Sequence, residues 1–365
     1  MERPWYVSFN WVMAATAVII ALCGTLLINS ADLHDEAASG EWRKQLVYIA
    51  IGMAVMATFA SIDYHRWQRW AFGMYIANFS LLGLVMVGGR SALGAQRWIN
   101  LGPIQFQPSE PAKLVLAICI AALLARRPSV GLRDTIVTIA AVALPAVLIL
   151  KQPDLGTTLV IFAILTAELF FGVAKTWFFA AYAVAAVAIG WFVVGTNFVL
   201  KPFQRNRLLV FLHPNADPQG AGWNLNQSKI AVGSGEVFGK GLYHGTQTQL
   251  NFVPEHSRDF IFTVVGEEFG YIGSLALIGL YAVVLFGALR AMLAARDRFG
   301  VLLAVGLVAM LAFHITINIG MTVGIMPITG IPLPFVSYGG TAILTDFAAI
   351  GLLLNIHLQR DKLVF

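Results

Sequence analysis

Asp259 is the residue of this chain whose type and setting most directly suggest chemistry. It closes the polar stretch NFVPEHSRD, residues 251–259, and is followed at once by Phe260, Ile261 and Phe262, the start of a long apolar run. A carboxylate at the mouth of a membrane-length helix is costly to bury and marks a functional site by default. The positive end of the helix dipole would favour its ionised form. Aspartate is also among the preferred helix N-caps, so the residues alone leave a reactive acid and a simple cap both open. Glu110 and Lys113 stand three apart at the start of another apolar run, hence on one helix face, where they form at least an ion pair. Asp154, in KQPDLGTT, lies between two apolar runs beside Pro153 and Gly156, in a turn where it serves as a cap or faces a site. Arg205, Arg207, Lys229, Lys240 and Arg258 gather in one long polar stretch with few acids around them.

The elements that must position these groups are membrane helices. Of 365 residues, 58% are hydrophobic and 12% charged, and mean hydropathy is +0.75; a soluble domain carries roughly twice that charge. About ten apolar runs are long enough to span, given that about 20 residues suffice and fewer do inside a bundle. They fall at 9–29, 46–62, 70–88, 111–125, 135–150, 157–173, 177–196, 260–293, 301–323 and 337–358. The fourth is short and the eighth long. The chain therefore reads as a single all-α, polytopic membrane domain over 1–365, with a large loop, 197–258, between the seventh and eighth spans. The first run is too long for a removable signal peptide and is expected to remain as an anchor.

Short connectors carrying Arg66, Arg69, Arg126, Arg127, Arg133 and Arg296 put the basic excess on one side, together with Arg3 and Arg360 at the two ends. The positive-inside rule then makes both termini cytoplasmic and turns the long loop and Asp259 outward. The net charge of +5 is accounted for in this way, with no nucleic-acid partner implied. Cys23 and Cys119 sit within apolar runs as packing residues.

Four outward stretches are too polar or too broken for lipid-facing connectors. In 88–113, Arg97 and Trp98 suit the membrane interface, where Trp commonly forms an aromatic belt. Asp154 and its turn form the second. In the long loop, the runs DPQGAG and GSGEVFGKG permit tight turns, and backbone amides with Arg or Lys make phosphate sites, against the plainer reading of an ordered surface loop. The fourth, MPITGIPLPFVSYGG at 326–340, is apolar yet broken by three prolines; such backbone needs a protein or water-filled surrounding, so Ser337 and Tyr338 are expected to line a cavity. Inside the helices, Glu168, His314, Asn318 and Asp346 read as interhelical hydrogen-bonding groups. Glu267 and Glu268 are expected to extend the Asp259 cavity inward. No HExxH, paired-cysteine, GxSxG or Walker pattern occurs, which removes the metalloprotease, zinc-site, serine-hydrolase and ATPase readings.

Taken together, GAQRWINLG (94–102), QPSEPAK (107–113), QPDLGTT (152–158) and DPQGAGWNLNQSKIAVGSGEVFGKGL (217–242) resemble the SEDS (shape, elongation, division and sporulation) family of peptidoglycan glycosyltransferases. VPE…DFIF (253–262), GEEFG (266–270) and LPFVSYGG (333–340) complete the set, in order along nearly the whole chain. HGTQTQLNFVPE (244–255) and NIHLQR (355–360) look more like the RodA, or elongation, branch than the FtsW branch. The family commonly has His-Thr just before its essential acid; here Ser257 and Arg258 stand there, and Pro111 replaces a larger apolar residue.

The resemblance implies an inner-membrane enzyme that polymerises lipid II into glycan strands and releases undecaprenyl pyrophosphate. It implies Asp259 as general base, with Trp98, Glu110, Lys113, Asp154, Arg205, Arg207, Lys229 and Ser337 around the substrate. Lys113, Arg205, Arg207 and Lys229, or a divalent cation such as Mg or Mn, would stabilise the leaving group. It further implies a class B penicillin-binding protein and other elongation-complex membrane proteins as partners. A flippase for the same lipid is the alternative, since ten or so helices with broken segments suit transporters too.

Overall fold

The structure, a computed structural model, describes residues 9–33, 40–88, 90–92, 95–101, 104–127, 130–173, 177, 180–184, 202–212, 217 and 220–361. The spanning elements are α1 (Trp11–Ala31), α2 (Glu41–Ser61), α3 (Tyr64–Gly88), α4 (Ser109–Ala125), α5 (Leu132–Lys151) and α6 (Leu155–Gly172). After the long loop come α10 (Ile261–Ala294), α11 (Arg298–Val323) and α12 (Gly340–Leu358). All but α4 are long and apolar enough by themselves to cross a membrane. The 17 residues of α4 are mostly buried among its neighbours, so it does not have to match the bilayer alone. These helices meet nine of the ten expected spans; the seventh, 177–196, lies largely outside the described residues.

The centre of the bundle is α12, buried continuously from residue 345 to residue 357. Close approach explains its pairing with α2: a side chain at Gly52 would strike the Phe347 ring, and one at Gly351 would come within 2.5 Å of the Met56 carbonyl oxygen. Small residues let helices approach where lipid supplies no hydrophobic drive between them. Of the polar groups expected to bond between helices, Asn318 and Asp346 bond instead to non-helical backbone, Asn318 donating to the Ile331 carbonyl and Asp346 Oδ2 accepting from the Phe335 amide at 3.3 Å. Glu168 does not. Its carboxylate oxygens have no hydrogen-bond partner among the described residues, and the group lies against Gly306, the only residue type that leaves it room there.

Two regions differ from the sequence expectation. Between α3 and α4 the chain forms a three-stranded antiparallel sheet, β1 (Arg90–Ala92), β2 (Ala95–Leu101) and β3 (Ile104–Phe106), with Arg90 opposite Trp98 and Ile99 opposite Phe106. The long loop contains α7 (Pro202–Leu212), α8 (Ala221–Ser234) and the short α9 (Thr246–Gln249). Ser228 of α8 donates to the Thr322 carbonyl at 2.7 Å, tying α8 to the end of α11.

The glycine run at 233–241 is not an anion cradle; its backbone repairs a break in α10. This helix is 34 residues long, about 50 Å at 1.5 Å per residue, well beyond the roughly 30 Å of hydrocarbon. It breaks at Gly270, whose φ of 64° and ψ of −157° belong almost only to glycine. The Lys240 and Gly241 amides donate to the Glu267 and Glu268 carbonyls at 3.0 and 2.9 Å, and the Tyr271 and Ile272 amides donate to Glu236 and Val237 at 2.9 and 3.1 Å. Four groups orphaned by the break are thereby paired.

Glu267 and Glu268 serve the same clasp rather than a cavity. Glu267 accepts from Lys240 Nζ at 2.7 Å, from the Gln247 and Thr248 amides at 2.8 and 3.1 Å, and from Thr248 Oγ1 at 2.6 Å. Glu268 accepts from Ser30 Oγ at the end of α1. Gly270→Ala would force a side chain into this conformation and onto the Gly239 amide. It is expected to cost about 3 kcal/mol or more, read as a lowered thermal unfolding midpoint of the detergent-solubilised protein.

Candidate functional site

A cavity of about 380 Å³ opens where the end of the long loop, the β-sheet, the starts of α2, α4 and α6, and the broken stretch 328–342 converge. Asp259 lines it. The N-cap of α10 is Phe260, and no side-chain cap bond is made there, so Asp259 is not spent on capping. Its position is set through the backbone. Asn318 Nδ2, on α11, donates to the Asp259 carbonyl at 2.8 Å and to the Ile331 carbonyl at 2.7 Å. Ser337 Oγ donates to the Arg258 carbonyl at 2.5 Å and accepts from the Leu333 amide at 2.8 Å, while the Tyr338 amide donates to Ser257 at 2.9 Å. The prolines of 327–334 leave few amides of their own to satisfy this backbone, and the polar side chains around it take over.

Beside Asp259 on the cavity wall stands Arg207 of α7. Gly330 lies between them with φ 71°; an added Cβ would come within 3.1 Å of both Arg207 Nη1 and Asp259 Oδ2. Burial pushes the Asp259 carboxyl up to about 6, with Glu255 adding to the rise, while Arg207, Arg258 and Arg97 pull the other way.

The other acids of the cavity are engaged. Asp154 is the N-cap of α6, as one reading of its turn expected: it accepts from Thr157 N at 3.1 Å and Thr157 Oγ1 at 2.9 Å, and also from Ser109 Oγ at 3.1 Å and Gln107 Nε2 at 3.2 Å. Arg97, 4.0 Å from Asp154, holds the same turn by donating to the Gln152 and Pro153 carbonyls. Glu110 pairs with Lys113 at 2.8 Å in a nearly dry setting. Arg258 bridges Glu41 of α2 and Glu255, at 3.2 Å each, and lies over the Tyr338 ring. The two carboxylates raise the Arg258 pKa against the effect of its burial.

Of the residues singled out from sequence, the cavity collects Asp259, Trp98, Glu110, Lys113, Asp154 and Arg207. It leaves out three. Arg205, two positions from Arg207 and so about 200° around the helix, does not line it. Lys229 is exposed on α8, its stem lying over Gly324. Ser337 acts on backbone behind the wall instead of facing the cavity. Glu41, Lys44, Tyr48, Gln204, His314 and Thr329 line the site without having been singled out for it. Glu41, Lys44 and Tyr48 come from the first turns of α2 and the other three from separate stretches; among the six, only His314 had been singled out, for its intramembrane setting. Among the described residues no group of three or more His, Cys, Asp or Glu is placed to hold a metal ion. The chemistry derived below uses the chain's own groups.

The sequence matches the family of cell cycle proteins named for FtsW, RodA and SpoVE over residues 10–362. The chain belongs to that family. Its long apolar helices make it a multi-pass membrane protein. It is 39% identical over 364 residues to the peptidoglycan glycosyltransferase MrdB of Escherichia coli (strain K12), covering 98% of this chain and 95% of that protein. Among solved structures it is similar to a chain of a peptidoglycan synthase complex described as coordinating polymerization and crosslinking. The TM-score there is 0.82 at 30% identity, over 97% of this chain and 99% of that one. The Thermus thermophilus rod shape determining protein RodA is similar with a TM-score of 0.73 at 27% identity, over 98% and 100% of the two chains.

Asn318→Leu would remove the donor shared by the Asp259 and Ile331 carbonyls. A loss of about 2 kcal/mol or more is expected for leaving them unpaired, measured as thermal stability in detergent and accompanied by a fall in enzymatic rate.

Proposed function

We propose that this FtsW/RodA/SpoVE-family protein is a peptidoglycan glycosyltransferase that polymerises lipid II, with Asp259 as its general base. The observation that carries the reading is an acid in the cavity that is not a helix cap, with its carboxyl pushed up to about 6 and Arg207 beside it. A base of that strength is ionised at neutral pH yet basic enough to accept a proton as a bond forms. Asp259 takes the proton from the 4-hydroxyl of the acceptor's N-acetylglucosamine. That oxygen attacks the anomeric carbon of the donor strand, and the bond to undecaprenyl pyrophosphate breaks with inversion. Arg207 and Arg97 face the growing negative charge of the leaving group, where positive donors already in position stabilise it best.

Asp154, as a cap with four donors around it, shapes the wall beside that charge and takes no proton. Trp98 offers a ring face to the saccharide. Arg258 holds α2 against the loop that bears Asp259. The basic connectors support cytoplasmic termini and an outward-facing cavity. The similarity to a chain from a synthase complex supports a class B penicillin-binding protein as the crosslinking partner.

The test is polymerisation of purified lipid II by the solubilised protein, with and without such a partner. Asp259→Asn should lose at least about 100-fold in rate while keeping its fold, the lower end of what a general base contributes. Unchanged polymerisation by a folded Asp259→Asn protein would remove the base assignment, and lipid II movement in liposomes without glycan product would point to a flippase. Because the base must be ionised, the wild-type rate should rise through about pH 6 and level off above it. At pH 5 it should be about one tenth of the plateau.

A further inference from the structure

The floor of the cavity holds a cluster that the mechanism above does not use. Lys113, on α4, is only 2% exposed, and its ammonium meets two side chains: Glu110 Oε2 at 2.8 Å and, from α11, His314 Nε2 at 2.9 Å. His314, also 2% exposed, has its other ring nitrogen, Nδ1, 2.7 Å from the Met310 carbonyl. A carbonyl can only accept, so Nδ1 carries the proton. The Nε2 atom facing the ammonium must then be the unprotonated acceptor, since a second N–H there would set two donors and two positive charges against each other. His314 is thus a neutral imidazole in one tautomer, fixed by its own helix.

We infer that His314 is a positioning residue that turns Lys113 toward the substrate. An ammonium has three N–H donors. Glu110, on the same helix as Lys113, takes one, and an i,i+3 pair alone leaves a four-carbon stem free to swing. The bond to His314 anchors it from a second helix and leaves the third N–H for the cavity that all three side chains line. Glu110 cancels the lysine charge, so the floor offers a directed donor beside a carboxylate acceptor, with no net attraction for an anion. That pairing suits a hydroxyl or acetamide oxygen of the bound saccharide, while the pyrophosphate belongs with Arg207 and Arg97. His314 lies four residues before Asn318, on the same face of α11, so one helix face holds both Lys113 and the backbone of Asp259.

This inference rests on the glycosyltransferase reading, and the test keeps the two apart. Initial rates of lipid II polymerisation are measured against lipid II concentration for the full chain carrying His314→Leu, His314→Gln, Lys113→Met and the double variant His314→Leu/Lys113→Met. Thermal unfolding of each is followed in the same detergent. Glycan product from wild type checks the activity itself; its absence would overturn that reading, and with it the basis for this one. Loss of one charge-assisted hydrogen bond should lower kcat/KM of His314→Leu by about 10- to 100-fold. Glutamine, whose amide oxygen can accept from Lys113, should restore it to within about threefold of wild type. Because His314 acts through Lys113, the double variant should be no slower than Lys113→Met. Multiplying losses in the double variant, a wild-type kcat/KM for His314→Leu, or no recovery in a stably folded His314→Gln would each overturn the inference.

Discussion

A single side-chain amide, that of Asn318, holds together the three pieces of chain on which this site depends. It sits on α11, and its two N–H groups reach the Asp259 carbonyl at the end of the long loop and the Ile331 carbonyl in the proline-broken stretch. Neither carbonyl lies in a regular helix, and buried backbone of that kind must find its partners in side chains. The carboxylate of Asp259 remains open to the cavity because its backbone is held elsewhere. Ser337 and Tyr338 reinforce the same junction from the other side.

The break in α10 answers a related constraint. The segment before Gly270 runs from Glu268, bonded to Ser30 at the end of α1, to Asp259, bonded to Asn318 on α11. The cost of bending is met by the loop 235–241, which supplies two donors and two acceptors to the opened helix, and by Glu267, which collects the amides around α9. The loop that carries Asp259 and the helix that follows it are consequently one mechanical unit.

Charge pairing sets Asp259 apart from the other acids of the cavity. The lining carries Lys44, Arg97, Lys113, Arg207 and Arg258 against Glu41, Glu110, Asp154, Glu255 and Asp259. In that even balance, Glu110 is bound to Lys113, Glu41 and Glu255 share Arg258, and Asp154 caps α6. Desolvation that would be offset by a partner elsewhere acts on Asp259 with less opposition, and its carboxyl rises accordingly.

Much of this was legible in the sequence. Composition and hydropathy are properties of the chain alone, so the membrane class and nine of the described helices could be read from them. Asp259 stood out because an apolar run starts beside it, and Glu110 and Lys113 because helical spacing puts them on one face. The sequence could not say that Asp154 is a cap while Asp259 is not, since capping depends on which residue first takes helical geometry. Nor could it separate Arg207 from Arg205, whose difference is the rotation of α7 against the bundle, or exclude Lys229, whose helix faces away. His314 and Glu41 join the site from helices far apart in the chain, and the glycine run of 233–241 found its use only against a helix break some thirty residues on. Local pattern determined which groups had to be accounted for; tertiary packing decided what each of them faces, because a partner across a cavity leaves no trace in spacing along the chain.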